Sequence, residues 1–220
     1  MPANITLIHQ DSGQTEWYTP SPVVEAARAV MGGIDLDPAS SAAANETVQA
    51  ATYFSRADDG LAQPWAGRVF LNPPFSDAAR FISKLMAERA AGRVTEACVV
   101  TFASLDTAWA RTLALYPRWY PDGRLSYVPG WEAAMSVQMG LPGLVSTGAV
   151  DLRAVTTQAD APPKASMVTY IGPDDGVQVF AALFPSRLGG WVDVPWSFHT
   201  HQHRQLRGKA RDLAGAGADR

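Results

Sequence analysis

Arg68-Val69-Phe70-Leu71-Asn72-Pro73-Pro74-Phe75 is the stretch on which the fold turns. Three apolar residues in a row suit a short buried strand. The two prolines then stop it, because proline carries no N–H to donate to a sheet ladder. A helix is expected at once, over residues 76–90, with Ala79, Phe81, Ile82, Leu85 and Met86 on its apolar face and Gly92 beyond its end. Residues 96–102 form a continuous apolar run of the kind buried on both faces of a parallel sheet. A third helix over 106–116 and a fourth strand over 125–128 continue the alternation.

Upstream, Val23, Val24, Ala27, Val30 and Met31 recur at spacings of three and four, which predicts a helix over 21–31. Ser21 is its expected cap, Pro22 suits its first turn, and Gly32-Gly33 ends it. A short strand over 34–36 then stops at Asp37-Pro38. Strands and helices alternating in this way indicate an α/β domain with a largely parallel sheet. Near the other end, residues 166–171 and 177–184 read as β-rich runs around Gly172-Pro173-Asp174-Asp175-Gly176, an antiparallel hairpin closing the sheet edge.

The domain reading is an irregular arm over 1–15, one catalytic-size domain over 16–198, and a basic tail over 199–220. Residues 130–164, rich in Gly, Ala, Ser, Thr and Pro, form a long insertion, and a connection of that length is usually functional or disordered. The chain has 220 residues, 47% hydrophobic and 18% charged, enough apolar material for a packed core. No run of about 18 apolar residues exists to span a membrane, and the start has no basic-then-apolar leader. A lone cysteine, Cys98, excludes an internal disulfide and a multi-cysteine zinc site. The expectation is a cytoplasmic protein with no membrane attachment. A net charge of −3 speaks against coating nucleic acid indiscriminately, though not against meeting DNA through one basic face.

Asn72-Pro73-Pro74-Phe75 carries the chemistry. An exocyclic amine on an aromatic ring is a poor nucleophile, since its lone pair is delocalised. Two acceptors on one side, a side-chain amide oxygen and a neighbouring carbonyl, draw its protons and rehybridise the nitrogen. The prolines fix the direction of that carbonyl, and the aromatic ring can stack on a base flipped out of a duplex. The plainer reading is a rigid turn. Position favours chemistry, because ligands in open α/β sheets bind at the carboxyl ends of strands.

The other strand tip, Asp37-Pro38-Ala39-Ser40, offers an acid for ribose hydroxyls and small residues for close approach. Tyr18-Thr19-Pro20, before the first helix, could hold a carboxylate on backbone donors and the Thr19 hydroxyl. Asp58 or Asp59 could accept from an adenine amine, or serve only as a turn. His199, His201 and His203 could bind a metal, but a surface tail suits them better and no metal is expected. No Gly-x-Gly signature follows Asp37.

As an ordered set, Glu16-Trp17-Tyr18-Thr19-Pro20, Leu36-Asp37-Pro38-Ala39-Ser40, Asp59-Gly60-Leu61, Trp65-x-Gly67 and Leu71-Asn72-Pro73-Pro74-Phe75 resemble the phage-type DNA adenine N6-methyltransferases. Gly123-Arg124-Leu125 and Tyr170-Ile171-Gly172 extend the likeness, which covers roughly residues 15–185 and leaves 130–164 unmatched. The resemblance implies a Rossmann-like methyltransferase sheet, mostly parallel with an antiparallel C-terminal hairpin. It implies S-adenosylmethionine as cofactor and a flipped adenine in double-stranded DNA as acceptor. By position, Asn72, Pro73, Pro74 and Phe75 fall on the catalytic motif, with Phe75 where tyrosine is commoner. Asp37 and Tyr18-Thr19-Pro20 fall on the cofactor side. Arg124 and Arg153, with residues 130–164, are the expected DNA contacts. Transfer to RNA or to a protein glutamine, and an inactive DNA-binding relative, stay open on these residues, as do the oligomeric state and the recognition sequence.

Overall fold

The computed structural model describes residues 17–125, 127–129, 165–195 and 198. The expectations for the 1–15 arm, the 130–164 insertion, Arg153 and the 199–220 tail with its histidines lie outside the described residues.

The element order is β1 (Trp17–Tyr18), α1 (Ser21–Met31), β2 (Leu36–Asp37), α2 (Ala42–Val48), β3 (Thr52–Tyr53), β4 (Gly67–Leu71), α3 (Ala78–Ala90), β5 (Val94–Phe102), α4 (Ala108–Leu113), β6 (Arg118–Tyr120), β7 (Val128–Pro129), β8 (Ser166–Ile171), α5 (Asp174–Leu188) and β9 (Trp191–Asp193). Seven strands form one sheet in the order β3-β2-β4-β5-β8-β6-β9. The β3-β2-β4-β5 half is parallel and the β5-β8-β6-β9 half antiparallel. This is a Rossmann-like methyltransferase sheet with an antiparallel C-terminal part. β1 and β7 pair separately, Tyr18 opposite Val128.

Helices cover both faces, as a parallel sheet requires. On one side α1 and α5 pack against Phe70, Cys98, Val100, Trp119, Val168 and Tyr170. On the other α3 and α4 cover Val69, Leu71, Ala97, Val99, Met167 and Ile171. Alternate residues of β4, β5 and β8 thus feed two cores.

Five expectations need correction. Residues 177–184 lie inside α5 and make no hairpin strand. A strand would bury Val177 and Val179 together, but Val179 is 42% exposed while Val177, Phe180 and Phe184 are buried at spacings of three and four. The antiparallel edge is made instead by β6 and β9. The strand expected over 125–128 is replaced by β6 and the separate β7, with Leu125 and Tyr127 buried outside the sheet. Ser21 does not cap α1. It is the first helical residue, and the Pro20 carbonyl takes the Val23 and Val24 amides at 3.0 and 3.3 Å. The helix over 106–116 contracts to Ala108–Leu113, capped by Thr107 Oγ1 accepting from the Ala110 amide. The first strand, expected over 34–36, is Leu36–Asp37 with Ile34 buried just before it.

The register positions the site. Leu36 pairs with Val69, and Leu71 with Val99, so Asp37 and Asn72 emerge side by side at the carboxyl ends of the parallel strands. A clip holds β2 and β4 at the opposite ends. Asp35 takes the Arg68 backbone amide at 2.8 Å and two guanidinium nitrogens at 2.9 and 2.6 Å. Gly67 makes room for that carboxylate, since a Cβ there would lie 2.5 Å from Asp35 Oδ2, and its φ of +74° suits glycine.

Candidate active site

Asp37 and Asn72 open onto a single cleft of about 340 Å3. Its walls come from four places far apart in sequence. Tyr18 and Thr19 come from β1 and its exit, the Asp37–Ser41 loop follows β2, the Phe54–Leu61 loop follows β3, and the turn from Asn72 to Asp77 follows β4.

Each wall is fixed locally. Tyr18 Oη and Ser41 Oγ lie 2.9 Å apart, and Ser41 Oγ also accepts the Ala44 amide as the cap of α2. The Phe54 amide donates to the Asp37 carbonyl at 2.9 Å, and the Ser40 amide to the Phe54 carbonyl at 2.8 Å. These two bonds continue the β2–β3 pairing into the loops. Gly60 presses on the same loop so closely that a Cβ would lie 1.9 Å from the Pro38 carbonyl oxygen. Buried Trp65 donates its indole N–H to the Gly60 carbonyl at 2.7 Å, pinning that loop from below. After Asn72, Pro73 is buried and Pro74 exposed, and the Asp77 amide closes a turn on the Pro74 carbonyl at 2.9 Å. Phe75 sits within that turn, half-buried. Its ring stacks on Phe102, at the end of β5, with centroids 3.5 Å apart and planes 21° apart.

Asp37 is the group with the strongest electrostatic signature in the cleft. It is 2% exposed and accepts the Ala39 amide at 3.2 Å. Burial pushes its carboxyl up to about 6, against the opposing pull of the Ala39 amide and of the nearby Ser40 hydroxyl, which lies outside good hydrogen-bond geometry. Thr19 is also buried, and its hydroxyl has no hydrogen-bond partner among the described residues. Such a group wants a ligand's polar atom. At the rim, Arg56 and Arg80 are exposed, Arg80 beside Asp77 at 3.3 Å.

The cleft thus gathers Tyr18, Thr19, Asp37, Pro38, Ala39, Ser40, Asp59, Asn72, Pro73, Pro74 and Phe75. It does not gather Pro20, Asp58 or Arg124. Pro20 serves the start of α1, and the Asp58 carboxylate is turned to the Ser55 amide and hydroxyl at 2.8 and 2.6 Å, which holds it below the usual carboxylate range. Arg124 is exposed in the segment after β6. Sequence reading missed Ser41, Phe54, Arg56 and Arg80, and quoted Gly60 only within the Asp59-Gly60-Leu61 motif. Ser41, followed by a short run of helix formers, carried a capping signal, whereas Phe54 and Arg56 follow a two-residue strand that leaves no periodicity to read.

Among the described residues, no group of three or more His, Cys, Asp or Glu could hold a metal, and no helix is long and apolar enough to cross a membrane. A half-parallel sheet with an acid on one strand tip and Asn-Pro-Pro-Phe on the next defines an α/β protein of the methyltransferase type. More particularly, the chain matches the DNA N-6-adenine-methyltransferase (Dam) family over residues 8–144, more than half its length, and belongs to that family. No curated protein and no solved structure matches it.

Proposed function

We propose that this protein transfers a methyl group from S-adenosylmethionine to the N6 amine of an adenine flipped out of double-stranded DNA. The family supplies the general activity, DNA adenine N6-methylation. The observation that carries the finer reading is the pairing, in one cleft, of the Asn72-Pro73 acceptors with a buried Asp37 and a Thr19 hydroxyl that has no partner among the described residues.

The donor set fits the cofactor. Asp37 accepts from the ribose hydroxyls, the Thr19 hydroxyl serves a polar end, Phe54 and Leu61 offer apolar walls to a purine, and the exposed Asp59 lies within reach of its amine. Pro38, Ala39 and Ser40 keep the chain small beside it. When bound, S-adenosylmethionine supplies a methyl group already activated as a sulfonium. The protein's own part is to hold the acceptor. The Asn72 side-chain oxygen and the Pro73 carbonyl accept hydrogen bonds from the two amine N–H groups, localising the nitrogen lone pair, and Phe75 stacks the base. One of the two protons is lost to solvent after the methyl group has transferred. Positioning of this kind accounts for most of the acceleration when the donor is already reactive. Arg56 and Arg80 at the rim meet the phosphates of the flipped strand, and Arg124 and Arg153 contact the duplex.

The test is tritiated methyl transfer from S-adenosylmethionine to unmethylated duplex DNA, with the digested product identified. Label recovered as N6-methyldeoxyadenosine is the expected result. Bound cofactor with no label on DNA, but label on RNA or on a protein amide, would overturn the choice of acceptor.

A further inference from the structure

The two rings at the acceptor end of the cleft are already stacked on each other. Phe75 and Phe102 lie 3.5 Å apart at the centroids, close to the thickness of one aromatic layer, and only 21° from parallel. No base fits between them as they stand. A base on that face of Phe75 has to take the position that the Phe102 ring now fills.

The two residues are held differently. Phe102 is the last residue of β5, and it pairs with Ser166 in the β5–β8 ladder. Just beyond it, the Ala103 amide donates to the Ala165 carbonyl at 2.8 Å, so the backbone on both sides of Phe102 is tied to the sheet. Its freedom is therefore that of the side chain. Phe102 is half-buried, so its side chain is not locked in the core. Phe75 is bracketed by buried Pro73 and the Pro74–Asp77 turn, which holds its backbone beside Asn72. Either ring gives way only by side-chain rotation, and with Phe75 read as the platform, Phe102 is the ring that has to leave.

We infer that Phe102 is the place-holder of the acceptor-base subsite: in the free protein its ring stacks on Phe75 where the planar base will stack, and it rotates aside when the base enters. This rests on the reading that Phe75 stacks the acceptor base. The cover keeps an apolar platform out of water while no base is present, and it admits only a ligand able to replace one stack with another. A planar aromatic base does so, and an extended amide side chain does not. The entering base competes with the Phe75–Phe102 stack, so its apparent affinity is its intrinsic affinity multiplied by the fraction of molecules in which the platform is uncovered. An aromatic pair of this geometry corresponds to a factor of about 2 to 10.

The experiment compares KM for unmethylated duplex DNA, and kcat, in wild type, Phe102→Ala, Phe102→Leu and Phe75→Leu. Phe102→Leu keeps most of the volume and loses the stack, so it reads the effect even if the alanine variant folds poorly. The expected result is a KM lowered about 2- to 10-fold in both Phe102 variants with kcat held. A KM that is unchanged or raised in Phe102→Leu, while Phe75→Leu impairs transfer, overturns the place-holder and leaves the stacking platform standing. If Phe75→Leu itself leaves KM and kcat unchanged, the platform reading fails and the inference falls with it. A purely structural role for Phe102 would instead lower thermal stability and active fraction without improving KM.

Discussion

Asp37 concentrates the physical argument at the scale of a single residue. A carboxyl lifted from its ordinary 3.8 to about 6 by burial is a group whose ionised form costs the folded protein roughly 3 kcal/mol at neutral pH. Between about pH 4 and 6 the folded state holds the proton more tightly than the unfolded state does. This group therefore makes the protein more stable as pH falls through that window, the reverse of a salt-bridged acid. Ribose hydroxyls, by contrast, donate best to the ionised carboxylate. The expected outcome is that cofactor affinity, measured by calorimetry, weakens as pH drops below about 6. Asp37→Asn should weaken it at pH 7.5 while leaving the free protein as stable or more so. An affinity flat from pH 5 to 8 would remove Asp37 from the cofactor site. Asn72, Asp37 and Thr19 were all legible as candidates, because each stands beside a chain signal: a proline pair, a strand tip, a helix start. Phe54 and Arg56 were not, because they reach the cleft through loop packing that no local pattern encodes, whereas Ser41 carried a helix-capping signal that gave no hint of a site.

At the scale of elements, α5 and β5 teach opposite lessons. β5 was readable because a strand buried on both faces is apolar throughout. In α5, Val177, Val179 and Phe180 share β-rich composition, and only the exposure of Val179 distinguishes the helical period from the strand period. The two periods predict different mutational costs. Val179→Lys should change stability by less than about 0.5 kcal/mol, whereas Phe180→Ala should cost about 3–5 kcal/mol in chemical denaturation, since Phe180 packs on Tyr170 and Phe184. Comparable costs at the two positions would favour the strand. The short elements α2, β3, β6 and β9 escaped notice for a related reason: two to seven residues carry too little periodicity. They are set by pairing with longer neighbours, as Arg118 and Trp119 are by Thr169 and Val168.

For the whole molecule, the sum of charges and the local field diverge. The chain carries a net charge of −3, yet the candidate cleft has Arg56 and Arg80 on its rim. DNA affinity should therefore come from few phosphate contacts and show a modest salt slope. Replacing Arg56 or Arg80 by alanine should reduce the slope of log K against log salt by about 0.9 each. An unchanged slope would move the phosphate contacts elsewhere on the surface. The mixed sheet, the order of its major elements and the turn after Asn72 follow from alternation and from prolines at a strand end. The packing of loops that closes the cleft follows from long-range contacts.

The central claim is that Asn72 polarises the acceptor amine in a cleft that holds the cofactor independently. Its most direct measurement is single-turnover methyl transfer to duplex DNA by wild type and Asn72→Ala, with cofactor affinity measured on both. The account predicts a transfer rate lowered by about a hundred- to a thousand-fold, the scale of losing one preorganised hydrogen-bonding group, with cofactor affinity changed by less than about 3-fold. Transfer by Asn72→Ala at the wild-type rate would contradict it.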